Sequence, residues 1–184
     1  MKELSLNVLD IAKNSVKARA SLIRITLEEI GNRLTLTIGD DGCGMREEML
    51  RGVVDPFCTT RTTRKVGMGI PLLKLAAEQT GGSVTITSRH ESEYPDTHGT
   101  EVVAVFYRDH IDFTPLGDIV STLTTLIQGS PDIDFAFTHT GERGGVSLDT
   151  REMREILGAD IPLNDPEILQ WIEGNLEEQY KNIS

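Results

Sequence analysis

Between Glu3 and Arg19, Leu4, Val8, Ile11, Ala12 and Val16 recur at helical spacing, which predicts an amphipathic helix. A polar ridge of Asn7, Asp10, Asn14 and Lys17 runs beside that stripe; Asp10 and Asn14, four apart, share a face. Ser21 to Glu29 and Arg33 to Gly39 alternate instead, with Ile23, Ile25, Leu27 and Leu34, Leu36, Ile38 on single faces. Gly31-Asn32 between them predicts a hairpin turn. Only one face of each strand is strongly apolar, as in a sheet covered by helices on one side. Arg46 to Val54 and Pro71 to Thr80 read as short helices, the second with Leu72, Leu75 and Ala76 inward. Ser83 to Ser88 and Thr100 to Tyr107 alternate as strands, and His90 to Gly99 is a polar loop.

The remaining chain reads as helix, two strands and two helices. Thr114-Pro115 is expected to cap the first, with Leu116, Ile119, Leu123 and Leu126 inward. Ile133, Phe135 and Phe137 alternate, and Thr140 to Gly145 turns the chain into Val146 to Leu148. Arg151 to Leu157 is helical, and Asp165-Pro166 opens a last helix carrying Ile168, Leu169, Ile172 and Leu176 on one face. Trp171 beside that stripe is expected to pack.

Charge adds a boundary. Residues 1–108 hold 14 Lys+Arg and 14 Asp+Glu, whereas residues 109–184 hold 4 and 15, so the net charge of -11 belongs to the second part. We expect a domain over 1–108 and an acidic α/β appendage over 109–184. Such acidity argues against a nucleic-acid surface there. There is no apolar run of membrane length and no basic-apolar leader pattern, and Cys43 and Cys58 lack metal-ligand spacing. A cytoplasmic protein is the expectation, with no membrane partner.

The candidate chemistry lies in Thr37 to Leu75. Two glycine clusters, Asp40-Asp41-Gly42-Cys43-Gly44 and Gly67-Met68-Gly69, flank a short helix and a threonine-rich basic loop. A carboxylate at Asp40, ending a strand, can accept the exocyclic amino hydrogen of adenine, and Gly42 and Gly44 would let the backbone approach the base. Asn14 offers a hard amide oxygen suited to Mg²⁺, and Lys17 one turn on could reach phosphate. The cluster Gly67, Met68, Gly69 opens a helix whose first N–H groups favour phosphate. Thr59, Thr60, Arg61, Arg64 and Lys65 form a donor-rich loop able to close over a triphosphate, a lid over Cys58–Val66.

Over residues 3–107 these motifs together resemble the GHKL ATPase superfamily of gyrase, Hsp-type chaperones, histidine kinases and MutL. LDIAKNSVKA (residues 9–18) resembles the N box, DDGCGM the first glycine box, PFCTTR the F box of histidine kinases, and GMGIPLLK the second glycine box. HGTEVVAVF (98–106) looks like the closing strand, where Thr100 would join the adenine contact. The resemblance implies ATP and Mg²⁺ as ligands, and a Bergerat-type α+β fold: a two-layer α/β sandwich with a mixed sheet and helices on one face. It implies Asn14 as the magnesium ligand and Asp40 as the adenine reader. Gyrase and MutL carry a catalytic glutamate four before the asparagine; this chain has Asp10, one methylene shorter. Lys17 follows the histidine-kinase pattern, and Pro71 replaces a third glycine of the second box.

No phosphoacceptor helix precedes residue 3 in this sequence, so the expected function is a stand-alone histidine-kinase-like ATPase domain. It would act as a nucleotide-gated regulatory module with slow Mg-dependent hydrolysis. The alternatives are a protein kinase acting in trans and a non-catalytic interaction module. An unidentified protein partner, through the acidic part, and a homodimer are the associations left open.

Overall fold

The computed structural model describes residues 3–54 and 68–184. The anticipated lid over Cys58–Val66, with Thr59, Thr60 and Arg61, lies outside the described residues, as does Gly67 of the second glycine cluster. The chain runs α1 (Leu4–Lys17), β1 (Leu22–Ile30), β2 (Arg33–Asp40), α2 (Glu47–Val54), α3 (Gly69–Gln79), β3 (Ser83–Arg89), β4 (Gly99–Tyr107), α4 (Ile119–Gly129), β5 (Asp134–Gly141), β6 (Gly144–Asp149), α5 (Thr150–Leu157) and α6 (Pro166–Ile183).

Six strands form one sheet in the order β3-β4-β2-β1-β5-β6. The β1–β2 hairpin turns on Gly31, whose φ of 59° is the left-handed conformation that a tight turn demands. Every neighbouring pair is antiparallel except β1 and β5. Parallel strands need a long crossover; α4 carries the chain from β4 across the sheet to β5, which lies beside β1. Ile23, Ile25 and Leu27, Leu34, Leu36 and Ile38, Val102, Ala104 and Phe106, and Phe135 and Phe137 are all buried on one sheet face. The opposite face carries Arg24, Thr26, Thr37, Thr85 and Thr138 and stays open to a greater degree. The result is the mixed-sheet α+β architecture that the family resemblance implies, with the one-sided burial that the alternation predicts.

Residues 109–184 add β5 and β6 to this same sheet and share its core. Leu123, Ile127, Phe135 and Phe137 cluster with Leu4, Val8 and Ile25. The charge boundary near residue 109 is therefore not a break in the sheet. α4 also starts later than Thr114-Pro115 suggests. Gly117 takes φ 76°, and the carbonyls of Pro115 and Leu116 accept from the N–H groups of Leu4 (2.9 Å) and Ser5 (2.8 Å). That segment caps α1 instead of opening a helix, and Asp118 caps α4 by accepting from Ser121 N–H at 2.9 Å.

Two further departures concern helix faces. α3 begins at Gly69, which lies against α1, and buries Ile70, Leu73 and Ala77, leaving Leu75 53% exposed. Trp171 is 57% exposed; at 100° per residue it falls on the Glu167–Glu178 side of α6, away from Ile172 and Leu176.

Below the sheet's far end, Glu29, His139 and Tyr180 join the two halves. His139 Nε2 lies 3.0 Å from Glu29 Oε1 and its Nδ1 lies 2.9 Å from the Tyr180 hydroxyl. Burial, and then the Glu29 charge, push the Tyr180 hydroxyl up, so it stays protonated. The imidazole thus bridges the Glu29 carboxyl on one side and the Tyr180 hydroxyl on the other.

Candidate nucleotide site

A cavity of about 610 Å³ opens between α1, α2 and the ends of β2 and β4. Its size is that of a small-molecule pocket. Its apolar wall includes Ile11, Ile38, Met45, Met49, Ile70 and Val102, and its polar groups include Asn14, Ser15, Lys17, Asp40 and Thr100.

Strand register builds the polar floor. Asp40 pairs with Thr100, and Thr100 with Ser88, so three polar side chains stand in one row across β2, β4 and β3. The next row toward the core, Ile38 with Val102, is apolar. Asp40 is held from both sides: Ser15 donates to Oδ2 at 2.6 Å, and the Gly42 N–H donates to Oδ1 at 2.8 Å. Each carboxylate oxygen keeps lone-pair capacity for a further donor. Ser88 Oγ accepts from the Met45 N–H at 2.7 Å and lies 3.2 Å from the Gly99 carbonyl and 2.7 Å from Thr100 Oγ1. The arrangement that satisfies every group has Ser88 donating to Gly99 and accepting from Thr100. Thr100 then presents its free lone pairs beside Asp40.

Asp41, adjacent in sequence, has a different task. It accepts from the N–H groups of Ser21 (2.7 Å) and Leu22 (3.0 Å) and from the Ser21 hydroxyl. Burial opposes its charge, but these hydrogen bonds outweigh burial and hold the carboxyl below the usual range. Asp41 therefore fixes the entry of β1 and leaves Asp40 to the cavity.

The glycines serve close packing of the protein on itself. A Cβ on Gly42 would lie 2.8 Å from both the Cβ and the carbonyl oxygen of Ala18. One on Gly44, at φ 72°, would lie 1.9 Å from the Arg89 carbonyl oxygen. The turn is thus pressed against the end of α1 and against β3, and the Cys43 N–H closes it by donating to Ala18 at 2.8 Å. Gly69 plays the same part at the α1–α3 contact, where a Cβ would stand 3.1 Å from Asp10 Cβ.

Of the residues anticipated from sequence, Asn14, Lys17, Asp40, Gly44 and Thr100 line the cavity. Gly42 lies just behind Asp40. Met68 is exposed at the N-cap of α3, and Gly69 is buried against α1. Asp10 is exposed, one turn from Asn14, beside Gly69 and outside the cavity wall. Sequence reasoning missed Ser15 and Ser88. Ser15 was findable: it falls on the apolar stripe of α1, is buried, and a buried hydroxyl needs a partner.

The residues present fit a magnesium nucleotide. Among the described residues no group of three or more His, Cys, Asp or Glu could cage a metal. Mg²⁺ takes few protein ligands and keeps its waters, so a single amide oxygen such as that of half-buried Asn14 on the cavity wall suffices.

Residues 2–110 match the family described as histidine kinase-, DNA gyrase B-, and HSP90-like ATPase. An uncharacterized sensor-like histidine kinase of Rhizobium meliloti (strain 1021) is 32% identical over 88 residues. That alignment covers 44% of this chain and only 17% of the relative's length. The MutL ATPase domain of Aquifex aeolicus, solved with ADP, superposes with a TM-score of 0.56 at 14% identity, covering 85% of this chain and 69% of that one. The N-terminal domain of a DNA repair protein gives 0.55 at 17% identity, covering 86% and 58%. At such identities the structural likenesses establish the fold alone. With a family match across more than half its length, this chain belongs to the histidine kinase-, DNA gyrase B- and HSP90-like ATPases and carries a GHKL-type ATP-binding domain.

Proposed function

We propose that this protein is a nucleotide-gated regulatory module that binds ATP with magnesium and hydrolyses it slowly. The observation that carries the reading is the Asp40 carboxylate, anchored by Ser15 and Gly42 in one row with Thr100 at the cavity floor. Asp40 accepts from the adenine amino group, Thr100 adds a second polar contact, and the apolar wall takes the ring. Asn14 holds the magnesium and Lys17 neutralises phosphate charge. Bound magnesium supplies charge stabilisation at the phosphates.

Asp10 is our candidate for water activation. Its side chain is one methylene shorter than glutamate, and it stands outside the cavity wall, beside Gly69 and one turn from Asn14. A misplacement of about 1 Å can cost on the order of a hundred-fold in rate. We therefore expect slow turnover. Asp10→Ala should abolish phosphate release while leaving ATP affinity nearly unchanged, and Asp10→Glu should raise the rate. A coupled phosphate assay with calorimetry on the same samples checks both; an Asp10→Ala protein as active as its parent would remove Asp10 from catalysis.

A second reading is favoured by the histidine-kinase relative: phosphoryl transfer to a separate protein. Labelled phosphate appearing on a second protein, in place of free phosphate, would put it first. In either case we place the protein in the cytoplasm, where ATP is supplied, with a protein partner approaching through the acidic region. No helix among the described residues is long and apolar enough to cross a membrane.

A further inference from the structure

The two edges of the sheet are treated differently. At the β6 edge, the Gln179 side chain takes both main-chain groups of Ser147: the Ser147 N–H donates to Oε1 at 2.9 Å, and Nε2 donates to the Ser147 carbonyl at 3.0 Å. Asn175 orients that amide by accepting from Nε2 at 2.7 Å. Gln179 thus occupies the place where a further strand would pair. At the β3 edge, among the described residues, the only main-chain partner strand of Ser83–Thr87 is β4. The segment Ser83-Val84-Thr85-Ile86-Thr87-Ser88 carries no charge and no proline, the devices that normally guard an exposed edge. Val84 and Ile86 remain half-buried there.

We propose that the β3 edge is a homodimer interface, with a second copy of this chain adding its own β3 in antiparallel register. The sequence is self-complementary about Ile86. A two-fold axis there sets Thr85 opposite Thr87, Val84 opposite Ser88 and Ser83 opposite Arg89. Threonine pairs are favourable across strands, and no like charges meet. The position also answers the electrostatics of a chain with net charge -11. The net negative charge belongs to the part that carries β5 and β6, at the other end of the sheet. Strands lie about 4.8 Å apart, so pairing through β3 separates the two β5 strands by roughly 40 Å. That distance is several times the Debye length of about 8 Å at physiological ionic strength. Pairing through β6 would instead bring the acidic halves together, and that is the edge Gln179 closes.

A contact of this length is a small interface, so a weak, concentration-dependent dimer is expected, to be sought at about 10–500 µM protein. Analytical ultracentrifugation of the full chain without nucleotide tests it, which separates this inference from the nucleotide reading. The parent should dimerise with rising concentration. Thr85→Lys/Thr87→Lys and Thr85→Glu/Thr87→Glu proteins should each lose at least tenfold in association, with unchanged melting temperatures. An equimolar mixture of the two should recover it as a heterodimer, because the register sets position 85 against position 87. A parent that stays monomeric throughout, a lysine variant that associates like the parent, or a mixture that fails to recover association would each overturn the proposal.

Discussion

Asp40→Asn is expected to lower ATP affinity by about ten- to a hundred-fold while leaving the protein folded. A hydrogen bond to a charged acceptor is worth about 1.5–3 kcal/mol, which corresponds to that range. The local geometry sharpens the expectation. Asparagine can keep its oxygen on the Gly42 N–H and turn its amide toward the Ser15 hydroxyl, which rotates to accept. The turn therefore survives. The side facing the base then presents an N–H where adenine also presents one. Calorimetric titration with Mg-ATP, beside thermal unfolding of both proteins, separates affinity from stability. An asparagine variant binding within about twofold of the parent would mean that Asp40 does not read the base.

The largest stability effect is expected from truncation after Arg108. It would strip β5 from β1 and remove α4 from α1. It would also take away the Pro115 and Leu116 carbonyls that cap α1, the helix that carries Asn14 and Ser15. Leu123, Ile127, Phe135 and Phe137 are at most 1% exposed. At about 1.5–3 kcal/mol for each fully buried side chain, losing these four alone removes roughly 6–12 kcal/mol. The total stability of a domain is about 5–15 kcal/mol. Residues 1–108 alone should show no cooperative melting by circular dichroism and should aggregate. A fragment that melts cooperatively and binds ATP would establish the acidic part as a dispensable appendage.

How much of this was legible in the chain depends on the range of the interaction. Alternation gave the strands and the buried face of the sheet, because that pattern is set residue by residue. The glycine turn and its neighbouring Asp40 were visible for the same reason. The pairing of β5 with β1 was not, since a parallel contact between residues more than a hundred apart leaves no local trace. The start of α4 was misplaced because Pro115 and Leu116 meet a distant demand, the bare N-terminus of α1. Glycine gave its position but not its purpose: Gly42, Gly44 and Gly69 look like room for a ligand, and each answers to a neighbouring part of the fold. Trp171 looked like core because it is large and apolar, whereas the phase of α6 is set by Ile172 and Leu176.

Side-by-side calorimetry of the intact protein with Mg-ATP and Mg-GTP tests the central claim most directly. Asp40 can accept from the adenine amino group, but it meets an acceptor in the six-position oxygen of guanine. ATP should bind, and GTP should bind at least tenfold more weakly. Equal affinity for the two, or no heat from either, would contradict it.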